Sequence, residues 1–423
     1  MGDGTPLTIG RDRRRAPVFK PGVQTRAVRL GIDVPLLLIV ITLLVFGLLM
    51  VYSASTDYSF MVLGKSPTYM FVRQVMWLGV GILVASLMTL VNYHRWQKFA
   101  LVAMLGTVLA LLAVLVVNEV INNAARTLFG GSVQPSEAAK VVTVIYLAVW
   151  LHSKGDQIID VSFGLIPMGM ILGFLGGLIF LQPDLSATLT IFLLGGIMFF
   201  LAGGDLRQIL ILLILGVVVG FLVFKFHPTG SQRVREYLIS IKDLTQAPLH
   251  LARSIEAIVK GGWFGVGIGK ADTKLTGLPV PPTDSIFAVV GEETGIVGAS
   301  SIVVLYILLM WRGLLIAQRA PDGLGKLLAS GLSLWIAIEA FINMAVIVGL
   351  VPFAGNALPF ISAGGSNLVV SLAAVGILLN ISRISAQTRV EEERAFDAVV
   401  DLRWRDRWRG VSRSRRPQSA NKR

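Results

Sequence analysis

Apolar residues come along this chain in runs of about 20, separated by short polar stretches, and a run of that length is what a helix needs to cross roughly 30 Å of hydrocarbon. Ten such runs predict ten transmembrane helices, over residues 35–53, 70–91, 99–117, 138–152, 163–181, 185–202, 208–226, 285–311, 327–350 and 368–384. An even number puts both termini on one side. The longest polar interruption, residues 227–283, falls between the seventh and eighth runs, on the opposite side from the termini.

Charge says which side is which. Of 38 Lys and Arg, 19 lie in residues 1–31 and 383–423, which the positive-inside rule assigns to the cytoplasm. The polar stretches "NYHRWQK" (92–98) and "RGLLIAQRAP" (312–321) also fall inside. The expected fold class is therefore an all-α polytopic membrane protein of about ten transmembrane helices with both termini cytoplasmic. Its parts are a basic tail (1–33), a transmembrane domain (34–385) with a large extracytoplasmic loop (227–283), and a second basic tail (386–423).

Composition agrees: 54% of the 423 residues are hydrophobic and 15% charged, with a mean hydropathy of +0.73, far outside the soluble range. The net charge of +13 sits beside spans and not in a folded patch, so anionic lipid is the expected partner and nucleic acid is not. The stretch "FDAVVDLRWRDRWRG" (396–410) reads either as a helix on the inner leaflet or as a disordered tail. The first run is longer than a signal core and is expected to stay in the protein. With no cysteine, and with four His at 94, 152, 227 and 250 at no ligand spacing, neither disulfides nor a structural zinc site is expected.

Polar residues inside or beside the runs carry the candidate chemistry, because ionisable groups at membrane depth usually face a polar interior. "LPVPPTDSIFAVVGEETG" (278–295) puts Asp284 at the mouth of the eighth span and Glu292 and Glu293 within it. Eight or nine helical residues set the two glutamates about 12–14 Å deeper than Asp284, beyond contact with the same group, so they read as structural; the plain reading of Asp284 from position alone is a helix N-cap. "RTLFGGSVQPSEAAK" (126–140) holds Arg126 and sets Glu137 and Lys140 on one helix face, expected to form an ion pair. "LQPDLSAT" (181–188) breaks two apolar runs at Pro183 and Asp184. The two clusters read either as a shared polar cavity or as plain caps and interfacial pairs.

The 227–283 loop holds Arg233, Arg235, Lys242, Arg253, Lys260, Lys270 and Lys274 against Glu236, Asp243, Glu256 and Asp272. A positive surplus outside reverses the topological bias and suggests an anionic ligand. Within it "GGWFGVGIGK" (261–270) reads either as a turn whose amides approach a pyrophosphate, with Lys260 and Lys270 adding charge, or as a re-entrant turn in which glycine permits tight packing.

Taken in order, "QPSEAAK", "QPDLSAT", "GGWFGVGIGK", "LPVPPTDSIFAVVGEETG" and "LPFISAGGSNLVVSLAAVGILLNISR" (358–383) resemble the signature segments of the SEDS family (shape, elongation, division and sporulation), over residues 31–385. The resemblance implies a bacterial peptidoglycan glycosyltransferase of the cytoplasmic membrane that polymerises lipid II. It implies a class B penicillin-binding protein as partner, with other divisome or elongasome proteins. It implies that Asp284 is the essential aspartate and that Glu137, Lys140 and Asp184 line the central cavity; Arg126, His250, Arg253 and Ser254 are grouped with them as substrate-cavity candidates, while Gly265, Gly267, Lys260 and Lys270 are the pyrophosphate candidates of the loop reading above. Pro282, Thr127 and Glu339 depart from the residues usual in the family, and His250 and Arg253 stand at positions usually held by glutamine. "VVGEETG" and the basic tail resemble the division type.

The chemistry is independent of the resemblance. A sugar hydroxyl is a poor nucleophile at neutral pH, so a carboxylate within hydrogen-bond reach is needed as general base, and nearby cations would steady the departing pyrophosphate with or without a divalent ion such as magnesium or manganese. A lipid II transporter is the rival from another class, since ten spans and a break at 182–184 suit it.

Overall fold

The computed structural model describes residues 31–117, 120–121, 124–125, 134–182, 184–212, 214, 216, 228–243 and 246–412. Its helices are α1 (Val34–Met61), α2 (Tyr69–Leu90), α3 (Trp96–Val117), α4 (Pro135–Lys154), α5 (Ile166–Leu181), α6 (Leu185–Leu201), α7 (Pro228–Lys242), α8 (Leu249–Gly261), α9 (Ile286–Arg319), α10 (Gly323–Ile347) and α11 (Gly365–Ser412). A two-residue antiparallel strand pair, Val120–Ile121 with Ala124–Ala125, is the one departure from all-helical structure among the described residues.

Helices stand at nine of the ten expected spans, α1–α6 and α9–α11; the seventh begins as helix at residue 206 and lies for the most part outside the described residues. Seven described stretches are long and apolar enough to cross a membrane. α4 and α6 are not among them: α6 has 17 residues, and α4 carries Glu137, Lys140 and Lys154. The bundle is layered: in the apolar window of α10 72% of residues are buried, against 11% in α2, so α10 is central and α2 peripheral. Leu38, Val45, Met76, Leu83, Val102 and Leu109 are exposed, the face a helix shows to lipid.

Polar residues set the helix ends. The Asp33 carboxylate accepts from the Leu36 amide to cap α1 and from the Arg312 guanidinium of α9 at 2.6 Å. Asp322 caps α10 by accepting from the Gly325 amide, and also accepts from the Tyr93 hydroxyl at 2.9 Å. The 92–98 and 312–321 stretches, both expected inside, thus meet at one end of the bundle. The boundary expected at residue 385 is not a backbone boundary: α11 continues to Ser412, so "FDAVVDLRWRDRWRG" is helical.

Candidate active site

Two polar layers lie at the end of the bundle opposite Asp33 and Asp322. In the first, α4 starts with Pro135 near N1 and turns Glu137 and Lys140 inward. Lys140 Nζ donates to Glu137 Oε1 at 3.0 Å and to Glu339 Oε1 of α10 at 2.8 Å. Asn367 of α11 donates to the second Glu137 oxygen at 2.7 Å. Asp184 precedes α6 and caps it through the Ala187 amide, while its other oxygen accepts from Ser136 Oγ at 2.9 Å and Gln134 Nε2 at 3.0 Å. Glu137, Lys140, Asp184 and Glu339 are all under 9% exposed. Here the two clusters meet in one buried polar network in which the charges face one another, because an unpaired charge at this depth would be prohibitive.

The second layer surrounds Asp284. Asp284 is half-buried and stands two residues before α9, whose N-cap is Ser285, so it is not the cap of the helix. The turn before it is fixed from outside. Ala363 N donates to Pro282 O at 2.8 Å, Ser362 Oγ to Thr283 O at 2.7 Å, and Asn343 Nδ2 to Asp284 O at 3.0 Å. Gly355 comes so close that a Cβ there would lie 3.2 Å from Asp284 Oδ2. Glu339 and Asn343 are one turn apart on α10, so one helix face carries both the partner of Lys140 and the clamp on Asp284. Sequence reasoning missed Asn343, Asn367 and Ser362, and named Glu339 only as a departure. Their partners lie far along the chain, 59 residues away for Asn343, 79 for Ser362, 199 for Glu339 and 230 for Asn367.

The loop elements divide the remaining candidates. His250, at the start of α8, has Nε2 2.9 Å from Ser285 Oγ and its ring 4.3 Å from that of Phe353. Ser254 is buried, with no partner for its hydroxyl. Arg253 and Lys260 flank Glu256 at 2.6 and 3.0 Å. Their hydrogen bonds, that from Lys260 first, hold the Glu256 carboxyl below its usual range. Lys270 is exposed. Arg126 and Thr127 lie outside the described residues.

The glycine run takes the second of its two readings. Gly265 N donates to Gly261 O, Val266 N to Glu292 O and Gly267 N to Glu293 O, at 2.8–3.1 Å. In return Ile296 N and Val297 N donate to Gly262 O and Trp263 O. The turn thereby fills a break in α9 at Gly295 (φ 70°). The amides of Gly265 and Gly267 are spent on these carbonyls and are not donors for a pyrophosphate. Gly265 itself has φ 81°, and a Cβ on it would fall 2.2 Å from Glu293 O, so only glycine fits. Glu292 and Glu293 serve the same loop: Glu292 accepts from the Asp272 and Thr273 amides and the Thr273 hydroxyl, and Glu293 from Ser53 Oγ of α1.

An apolar groove of about 570 Å³ opens along α2, lined by Tyr69, Val72, Arg73, Met76, Trp77 and Val80. On the inner face of the same helix Gln74 donates to Ser362 O at 3.1 Å, and Ser362 holds the Asp284 turn. No sequence signal separated this groove from an ordinary lipid-facing helix.

Known proteins resemble this chain over most of its length. The family described as "Cell cycle protein" (FTSW_RODA_SPOVE) matches residues 34–387. The probable peptidoglycan glycosyltransferase FtsW of Geobacter sp. (strain M18) is 36% identical over 359 residues, covering 83% of this chain and 97% of that protein. Stage V sporulation protein E of Bacillus subtilis (strain 168) is 35% identical over 365 residues, 84% of this chain and 97% of that one. Among solved structures, a chain of a peptidoglycan synthase complex coordinating polymerization and crosslinking superposes with a TM-score of 0.70 at 27% identity, over 84% of this chain and 99% of its own. The rod shape determining protein RodA of Thermus thermophilus gives 0.61 at 25% identity, over 84% and 98%.

Proposed function

Because the chain belongs to the FtsW/RodA/SpoVE family, we propose that it is a multi-pass membrane peptidoglycan glycosyltransferase that polymerises lipid II, with Asp284 as general base. The observation that carries the reading is the Asp284 turn: a half-buried carboxylate whose backbone is clamped by Asn343 and Ser362 and whose side chain lies against Gly355. A clamped turn holds a base within reach of a bound hydroxyl, where positioning lowers the barrier most.

In the reaction the 4-hydroxyl of the acceptor sugar attacks the anomeric carbon of the donor. The new C–O bond forms as the bond from that carbon to the lipid pyrophosphate breaks, and the hydroxyl proton passes to an Asp284 carboxylate oxygen. Lys270 and Lys260 supply positive charge for the departing pyrophosphate; their exposure on the loop supports this role. The groove along α2, apolar with Arg73 at its side, suits a polyprenyl chain ending in phosphate. Among the described residues no three of His, Cys, Asp and Glu come together to hold a metal ion; a divalent ion carried by the pyrophosphate is compatible with the same role for Asp284.

On this reading ten helices span the bacterial cytoplasmic membrane, both termini are cytoplasmic, and residues 227–283 and Asp284 face outward. A class B penicillin-binding protein is the proposed partner, supported by the likeness to a chain of a complex that couples polymerization to crosslinking. Family members named FtsW among the relatives favour a role in division. Asp284→Asn keeps the shape and removes the base. Purified in detergent, where flipping has no meaning, the variant is expected to lose polymerisation of lipid II while it folds and binds its partner as before. Polymerisation at the parent rate would end the general-base assignment, and none by the parent chain with its partner would favour a transporter.

A further inference from the structure

Ser285 stands at the N-cap of α9, yet its side chain makes no capping bond, although capping is what serine does best there. Its hydroxyl is instead 2.6 Å from the carbonyl oxygen of Pro279 and 2.9 Å from Nε2 of His250. A serine hydroxyl has one proton and a carbonyl has none, so Ser285 donates to Pro279 and its lone pair accepts from His250. That fixes the imidazole as the tautomer with hydrogen on Nε2. The result is a directed chain from His250 through Ser285 to Pro279, bracing residues 279–285 through atoms other than those the Asn343 and Ser362 clamps hold.

The bracing has work to do. Val280, next to Pro279, has φ 43°, a left-handed conformation that is costly for a β-branched residue and persists only where the surroundings impose it. From the geometry of this chain we infer that His250 is a positioning residue: through Ser285 it holds the strained 279–285 turn that presents Asp284, and it does not itself exchange a proton with substrate.

This inference rests on Asp284 being the base. The surroundings of the ring fit it. His250 packs on Phe353 of the 351–355 segment, and Arg233, Glu236 and Tyr237 of α7 line the same small pocket. Arg233 lies against Phe353, with its guanidinium carbon 5.3 Å from the ring centre. Burial pushes the imidazole down to about 4 from the usual 6.5. Such a ring is neutral at physiological pH, keeps its Nε2 hydrogen for Ser285, and is a weak proton acceptor. A glutamine side chain can offer an N–H to the same hydroxyl, and alanine cannot.

The test is steady-state polymerisation of lipid II by the full chain with its partner, comparing His250→Ala, His250→Gln, Ser285→Ala and the His250→Ala/Ser285→Ala double variant. Each alanine variant is expected to lose kcat by about ten- to a hundredfold, the range a small misplacement of a catalytic group produces, with KM for lipid II within about twofold of the parent. The double variant should fall no further than the singles, since both remove one chain. His250→Gln should recover most of kcat, and its pH–rate profile should overlay the parent from pH 5 upward. A folded-state value below the unfolded one also means that stability falls as pH drops from about 6.5 to about 4; His250→Gln should flatten that fall.

An acid limb displaced in His250→Gln, a rise in KM at constant kcat, or parent-like kcat in both alanine variants would each overturn the inference. Should His250→Ala fail to fold, His250→Gln and Ser285→Ala still decide it. Asp284→Asn, run alongside, separates the two levels: activity in that variant removes the base, whereas a dead Asp284→Asn beside a fully active His250→Ala removes only the positioning role.

Discussion

Lys140 shows how a single residue is settled by what lies far from it in the chain. Spacing alone set Glu137 and Lys140 on one face, and they do pair. The third member, Glu339, is 199 residues from Lys140, and Asn367 is 230 residues from Glu137, so neither is legible from local pattern. The addition changes what mutations should do. A pair would be rescued by exchanging its two charges; a trio would not, because the exchange leaves Glu339 facing a carboxylate. Lys140→Met strands two buried carboxylates and is expected to cost about 3–5 kcal/mol, read as a fall in thermal stability of the purified protein. Glu339→Gln keeps the Lys140–Glu137 pair and should be milder than Lys140→Met. Equal losses for the two variants would dissolve the trio.

At the level of elements, the glycine run illustrates a limit of sequence reading. "GGWFGVGIGK" offers amides either to a phosphate or to carbonyls of its own protein, and nothing local distinguishes the two. Its partners, the carbonyls of Glu292 and Glu293, belong to the next helix, where the break at Gly295 exposes them. Those carbonyls need donors at membrane depth, and the turn supplies them. The prediction contrasts two glycines of like backbone. Gly265 and Gly269 have φ 81° and 82°, but a Cβ at Gly265 meets Glu293 O at 2.2 Å while Gly269 faces open space. Gly269→Ala should cost only the left-handed penalty, about 1–2 kcal/mol. Gly265→Ala should open the turn and sharply lower the yield of folded protein, measured by monodisperse recovery from detergent; equal recovery of the two variants would show that the α9 break is not filled as described. The acids Glu292 and Glu293 were legible as structural because helix rise alone put them too deep to share a hydroxyl with Asp284.

For the whole molecule, the apolar runs made the helices legible, because a chain in lipid must satisfy its backbone within each span. Which side each end faces is proposed from charge and from counting, and the proposed mechanism depends on it, since polymerising lipid II at the outer face would require Asp284 there. The structure adds an internal constraint: the 92–98 and 312–321 stretches share one end through Tyr93, His94 and Asp322, as α1 and α9 do through Asp33 and Arg312, so these connections stand or fall together. A chain without cysteine lets one introduced thiol report its side. Thr273, attractive from its place in the loop, is fully buried against Glu292 and would report nothing, whereas Thr276 is exposed. Thr276→Cys should react with a membrane-impermeant maleimide in intact spheroplasts, and Thr8→Cys and Ser419→Cys only after lysis. A protected Thr276→Cys beside a reactive tail would turn the bundle over and move Asp284 to the cytoplasm. An outward-facing glycosyltransferase could not work in that orientation, however well Asp284 is braced.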